Sequence, residues 1–540
     1  MDSIFLNGKI YTLEESCPLV EAVGVKDGRI IKIGSNKELK SLQCEHTKVI
    51  DLEQKTVFPG FHDSHMHLLG FGASLQKIDL TGTESIEAVI QRGKAFIQEK
   101  SLEKDRWVEG RGWNQDFFVE KRFPTRYDLD QISVEYPICV TRACGHVAVV
   151  NSKALALMGV QRDTPQIEGG SFDVDEKGEP LGIFRENALM FIYNHIPEPD
   201  IEDIEKMIVD GAKLALAQGI TSIQTDDFEA LPVKNFEKII QAYQQLADKQ
   251  ELPVRIYEQC LLPTTEKLER FLQLGYHTGV GDDFFKIGPL KLLCDGSLGA
   301  RTAYLQEPYS DDPNTCGILV YTQEELDHLV DMAHRAGMQV AIHCIGDKIM
   351  YMAFDSIEKT QRCNPRKDPR HSIIHCQITD EILLNKYKEL DVIAHIQPIF
   401  IHYDLHIVED RVGKERARTS YNWGTMVKKG VHIACGSDCP VEPLDVLPGI
   451  YTAVTRKDLN GYPPSGWMPE QRLTVQEAIY GFTMGAAYAA FQEDFKGSLT
   501  PGKAADFVVL SEDIMEIEPD RIKDIQVLMT VVDGKIGYRK

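Results

Sequence analysis

Hydrophobic positions along this chain of 540 residues fall into two patterns. At both ends, short apolar runs rich in Val, Ile, Tyr and Phe are broken by turn dipeptides. FLNGKIYTL, VKDGRIIKIG and KVIDL lie near the start; ADFVVL and QVLMTVVDGKIGY lie near the end. Such runs predict strands, with hairpin turns at Asn7-Gly8, Asp27-Gly28 and Asp533-Gly534. Two β segments at opposite ends predict one composite β-sandwich, built from residues 1–56 and 497–540.

The middle alternates apolar runs with amphipathic helical stretches. Strands are predicted at 57–63, 219–225, 253–260, 286–294, 339–343, 373–376, 392–396 and 432–437. Helical periodicity falls between most of them, as in DIEKMIVDGAKLALAQG before GITSIQT and TQEELDHLVDMAHRAG before MQVAIH. Eight βα units predict an α/β fold, a distorted (β/α)8 TIM-like barrel over 57–496, with its active site at the C-terminal ends of the strands. The first two strands are separated by roughly 150 residues, where a βα loop usually has about 2–6. Residues 70–200 therefore read as an insertion subdomain. It leaves the barrel directly after the first strand and is expected to cover the active site.

Composition narrows the classes of partner. Hydrophobic residues make up 43% of the chain, enough for a large core, and the formal net charge is −23. Nucleic acid and anionic membranes recruit basic patches, so neither is an expected partner. No apolar run reaches the ~18 residues that suggest a membrane span. The start, MDSIFLNGKIYTLEES, lacks a basic region followed by an apolar stretch. The twelve cysteines show no CxxC pairs. Together these features point to a reducing cytoplasm with buried free thiols.

Six residues of metal-binding type sit at predicted strand ends. His65 and His67, two apart in GFHDSHMHL, project to one face if the strand continues. His343 ends VAIH and His375 ends SIIH. Each alone also reads as a hydrogen-bonded rim histidine. On successive barrel strands they suit a metal ion as neutral imidazoles. Lys291 lies in a strand expected to be buried, where an unpaired ammonium is costly. It either pairs with Asp295 or Asp438, or carries a CO2-derived carbamate between two cations. Asp438, after HIACGS, reads either as a helix N-cap or as a ligand that also moves a proton. Cys294, Cys344, Cys376 and Cys439 have the opposite strand parity to the neighbouring ligand candidates and read as structural. Substrate-contact candidates are Trp113, His146 and Glu186 in the insertion, Arg301 after the fourth strand and Gln397 after the seventh. Each also reads as an ordinary loop residue.

The motifs PGFHDSHMHL, LKLLCDGSLGARTA, AIHCIGD, SIIHCQ, IQPIF and GSDCPVEPLD resemble those of the amidohydrolase superfamily, specifically the amidohydrolase-3 group that includes N-substituted formamide deformylases. GHVAVVNSKAL and GGSFDVDEKGEPLGIFRENAL in the insertion are also similar. The resemblance implies a distorted barrel with a composite sandwich and a binuclear centre, most often zinc. It implies that His65, His67 and Asp438 hold one ion, that His343 and His375 hold the other, and that carboxylated Lys291 bridges them. It further implies that a metal-activated hydroxide cleaves an amide or N-formyl C–N bond of a small molecule. Asp438 would collect the proton and deliver it to the leaving nitrogen. A homodimer is compatible with this superfamily. Two other readings stand beside this one. A heterocycle aminohydrolase or cyclic amidohydrolase is disfavoured in its one-metal form by the presence of Lys291. A non-catalytic regulatory protein on the same fold is disfavoured by the complete ligand set.

Overall fold

The computed structural model describes residues 1–540 apart from 101, 103–105 and 233. The chain divides into two compact units, one of residues 1–70 with 208–540 and one of residues 71–207.

The termini of the first unit build two sheets. Arg29–Gly34, Ala22–Lys26, Ser3–Leu6 and Lys48–Asp51 are neighbours in the first. Lys535–Arg539, Val527–Val532, Phe507–Leu510, Thr56–Pro59, Lys9–Tyr11 and Leu19–Val20 form the second. Thr56–Pro59 pairs antiparallel with Phe507–Leu510, so N- and C-terminal segments share one sheet. Phe5, Val23, Ile30, Val57, Phe507 and Val531 are buried together, with Phe5 edge-on to Phe507 at 4.8 Å.

Asp27-Gly28 and Asp533-Gly534 are two-residue hairpin turns. All four residues have positive φ, as a right-twisted hairpin requires. Asn7-Gly8 departs from the expected hairpin. Ser3–Leu6 lies in the first sheet and Lys9–Tyr11 in the second, so the dipeptide is a corner where the chain changes sheets. A Cβ on Gly8 would stand 2.8 Å from both Ile10 and Leu52 side-chain carbons, which restricts this corner to glycine.

The barrel consists of β1 (Phe61–Met66), β2 (Ile220–Thr225), β3 (Arg255–Leu261), β4 (Phe285–Leu293), β5 (Val340–Cys344), β6 (Ser372–His375), β7 (Ile393–Ile396) and β8 (Ile433–Cys435). They are neighbours in chain order, and every pairing is parallel. The continuous strand expected at 57–63 is two strands. Val57–Pro59 belongs to the sandwich and β1 starts after Gly60, where any Cβ would lie 2.2 Å from Thr221. Helices such as Gln323–Arg335, which carries a Thr322/Glu325 capping box, alternate with the strands. Asp438 N donates to His65 O and His67 N donates to Cys439 O, both at 2.8 Å, joining the chain after β8 to the end of β1. A Cβ on Gly436 would lie 2.6 Å from His65 N, so glycine is what permits this approach.

In the second unit, one six-stranded sheet packs against helices. Its core includes Trp113, Val140, Val149 and Ile183.

Candidate metal centre

Parallel pairing puts β4, β5 and β6 side by side with Lys291, His343 and His375; the end of β1, with His65 and His67, meets them across the barrel, His65 Nε2 lying 3.3 Å from Lys291 Nζ. Nε2 of His65 and of His67 lie 3.3 and 3.2 Å from Asp438 Oδ1. The ligand atoms of these three residues are all within 4.8 Å of one another. His343 and His375 form a second pair, with ring centroids 4.4 Å apart. The His375 ring is 5.5 Å from that of His65.

Each imidazole is fixed through its other nitrogen. Nδ1 of His65 contacts Gln259 Oε1 at 2.6 Å, and Nδ1 of His67 contacts Asp226 O at 3.1 Å. His343 Nδ1 contacts Asp295 Oδ1 and His375 Nδ1 contacts Gln397 Oε1, both at 2.9 Å. All four acceptors are oxygens, so Nδ1 carries a proton on each ring and Nε2 is the nitrogen that would meet a metal.

Lys291 is fully buried, and burial lowers its pKa. Its Nζ lies 3.3 Å from His65 Nε2 and 3.6 Å from Asp226 Oδ2. Its ion-pair partner is therefore Asp226; Asp438 also acts on it through its charge, while Asp295 holds His343 instead. Burial works against the Asp438 carboxylate. The adjacent His65 and His67 rings outweigh it and keep the group well below the usual carboxylate range. Burial, reinforced by the Lys291 charge, pushes His65 down to about 3. For His67 burial is outweighed by Asp438 and Asp226, and the ring rises to about 9.

The donor set fits a divalent cation. With metal–ligand bonds of about 2.0–2.2 Å, the edge of a tetrahedral site is about 3.3–3.6 Å. The separations between Asp438 Oδ1 and the two Nε2 atoms are near the short end of that range. Asp438 Oδ1 is buried without a hydrogen bond of good geometry, and so are both Asp226 carboxylate oxygens.

Backbone strain gathers at the same place. His375 has φ 82°, Cys376 φ 54° and Asp438 φ 61°, a region that side-chain-bearing residues enter at a cost. Cys294, Cys344, Cys376 and Cys439 are buried, and burial pushes every one of these thiols up.

The substrate-contact candidates scatter. Gln397 is buried and holds His375. Trp113 is fully buried in its own unit's core, its Nε1 donating to Val140 O at 3.0 Å, so its ring packs against protein. His146 Nδ1 and Glu186 Oε2 pair at 3.0 Å, both exposed, and Glu186 has φ 50°. Arg301 forks onto both oxygens of Asp311 at 3.0 and 2.7 Å. Gln259, Asp226 and Asp295, which orient ligands, stand outside the sequence-derived site list. Their signal was weak: a polar or acidic residue at or just beyond the end of an apolar strand.

The profile of the amidohydrolase family matches residues 48–538. A putative amidohydrolase, YtcJ of Bacillus subtilis, is 35% identical over 547 residues, covering 100% of both chains. An N-substituted formamide deformylase of Arthrobacter pascens is 24% identical over 552 residues, covering 100% of this chain and 98% of its own. Among solved structures, a metal-dependent hydrolase from Pyrococcus furiosus superposes with a TM-score of 0.76 at 30% identity. The match covers 95% of this chain and 100% of that one.

Proposed function

Starting from a chain that belongs to the amidohydrolase family and is a metal-dependent hydrolase of that superfamily, we propose that it cleaves the C–N bond of a small-molecule amide or N-formyl compound. Water is consumed, and a carboxylate and an amine are released. The observation that carries the reading is the common arrangement of the four imidazoles, each held through Nδ1 so that Nε2 is the nitrogen that would meet a metal. The N-formyl preference leans on the relative that is a formamide deformylase.

His65, His67 and Asp438 would hold one divalent ion, and His343 and His375 a second, with zinc the expected identity. Such ions, when bound, polarise a carbonyl and lower the pKa of coordinated water toward neutrality. Lys291 is assigned the position between them. Burial lowers its pKa, which works toward the free amine that would react with CO2 to give a carbamate and a proton. Asp438 takes the proton of the attacking water on its carboxylate and passes it to the departing nitrogen. Gln259, Asp295 and Gln397 hold the rings still while this happens. Arg301 is proposed as a substrate contact.

The test is amine release from N-formyl, N-acetyl and longer N-acyl amines by protein prepared with zinc and bicarbonate. Release that disappears on chelation and in Asp438→Asn supports the reading. A protein that holds two metals and releases no amine from any of them sinks it. Carboxylation of Lys291 is read separately, as a carbamate carbon signal after exposure to 13C-bicarbonate that is missing in Lys291→Ala.

A further inference from the structure

Arg456 ends the helix Val446–Thr455 that follows β8, in the left-handed region with φ 59°. It is fully buried. Its guanidinium lies over two indoles, 4.6 Å from the Trp423 ring centroid and 5.0 Å from that of Trp467. Nε donates to Trp467 O and Nη1 to Tyr421 O, each at 3.1 Å. Nη2 is buried with no hydrogen-bond partner.

Among the described residues no carboxylate forms an ion pair with this cation. Burial lowers its pKa to about 9, which still leaves it charged at neutral pH. Arg472, whose charge opposes that of Arg456, is also bound only to backbone carbonyls, those of Thr455 and Ser465. The acidic groups felt by Arg456 are the Tyr421 phenol and, less, the exposed Glu470. A buried charge without a counter-charge is expensive, and an arginine does not escape by losing its proton. Cation–π contact with two indoles offsets part of that cost.

A second buried donor belongs to one of these two indoles. Trp423 Nε1 has no partner, and neither has Asn422 Oδ1 in the preceding residue. An Asn amide can be turned to present its NH2 instead. We propose that Arg456 Nη2, Trp423 Nε1 and the Asn422 amide bind a small monovalent inorganic anion of the chloride type. A single uncompensated guanidinium calls for one negative charge. Tyr421, Trp423 and Arg456 are each at most 1% exposed, which leaves no open face for a large oxyanion. The bound ion would tie the segment that follows the helix Val408–Ala417 to the helix after β8, whose approach loop carries Asp438.

The experiment compares chloride with gluconate at equal ionic strength in the intact, metal-loaded protein. The expected result is a Tm that rises saturably with chloride and is flat in gluconate, since a ligand that binds only the folded state raises its stability by mass action. Crystals grown in bromide should show anomalous density within hydrogen-bond distance of Arg456 Nη2. Trp423→Phe keeps the ring and removes the donor, and should raise the half-saturating chloride several-fold. Arg456→Met should abolish the dependence. Equal Tm in both salts, with only water beside Nη2 in the bromide crystals, overturns the proposal. So does a chloride effect that survives unchanged in Trp423→Phe.

Discussion

His343 Nδ1 donates to Asp295 Oδ1 at 2.9 Å, and the same carboxylate accepts backbone N–H groups from Tyr304, Ile345 and Gly346 at 2.8–3.2 Å. The ring is thus held by a group that is itself immobilised, with its centroid 4.4 Å from that of His375. Removing such an orienting carboxylate commonly lowers metal affinity about 10–100-fold. Asp295→Ala should therefore lose one metal per chain on dialysis, with kcat falling alongside. Metal analysis and circular dichroism on the same sample check this. Full metal retention would remove Asp295 from the centre's support.

His67 supplies a pH dependence with a definite sign. Without metal its pKa is about 9, because Asp438 and Asp226 outweigh burial. A proton on Nε2 competes with a metal ion. Affinity should therefore climb as pH rises toward 9 and level off above it. Calorimetric titration of chelated protein in two buffers of different ionisation enthalpy should show about one proton released per chain near neutral pH from this residue. His67→Asn should remove that proton. An unchanged proton count in the variant would contradict the assignment.

Gly436 makes the seam between β8 and β1 possible. Its missing Cβ would lie 2.6 Å from His65 N, 2.7 Å from Asp63 Oδ1 and 2.9 Å from His65 O. Gly436→Ala must push the two strand ends apart, an overpacking that typically costs about 1–3 kcal/mol. Because His65 is what gets pushed, metal binding should drop more than overall stability. Urea unfolding and metal content measure the two separately. Normal values for both would show that the seam can yield.

Behind β5 and β6, a histidine relay has a defined tautomer. Val340 N donates to His371 Nδ1, His371 Nε2 donates to His334 Nδ1, and His334 Nε2 donates to Asn364 O. The relay works only with both rings neutral. Burial, together with the charges of His334 and Arg366, depresses His371 to about 3, against 6.5 for an unburied ring. The unfolded chain thus binds the extra proton first. The contribution is fully present above pH about 6.5 and fades as pH falls toward 3. His371→Gln should be less stable at neutral pH, yet lose less than the parent between pH 6 and 4. Parallel denaturation curves across that window would rule the relay out as an acid-sensitive element.

The sequence by itself determined the parts that depend on local spacing. Alternation of apolar strands with amphipathic helices specifies a barrel. The HxH at the end of β1 and the histidines at the ends of β5 and β6 are legible because strand ends in such a barrel converge. The terminal β segments announce a shared sandwich because neither could bury its apolar face alone. Only the tertiary structure decided which neighbours each ligand has. Gln259 is 194 positions from His65, and Asp295 is 48 from His343. No periodicity links such pairs, since strand register and the bulge between Ile223 and Thr225 set who meets whom. The same holds for Lys291, whose acidic neighbour Asp226 comes from the loop after β2. It holds also for Gly60 and Asn7-Gly8, where the chain changes sheets because Thr221, Ile10 and Leu52 already fill the space beside a glycine. Local pattern fixes which face of a strand a side chain occupies; its partner is fixed by what another stretch of chain, paired through the barrel, brings against that face.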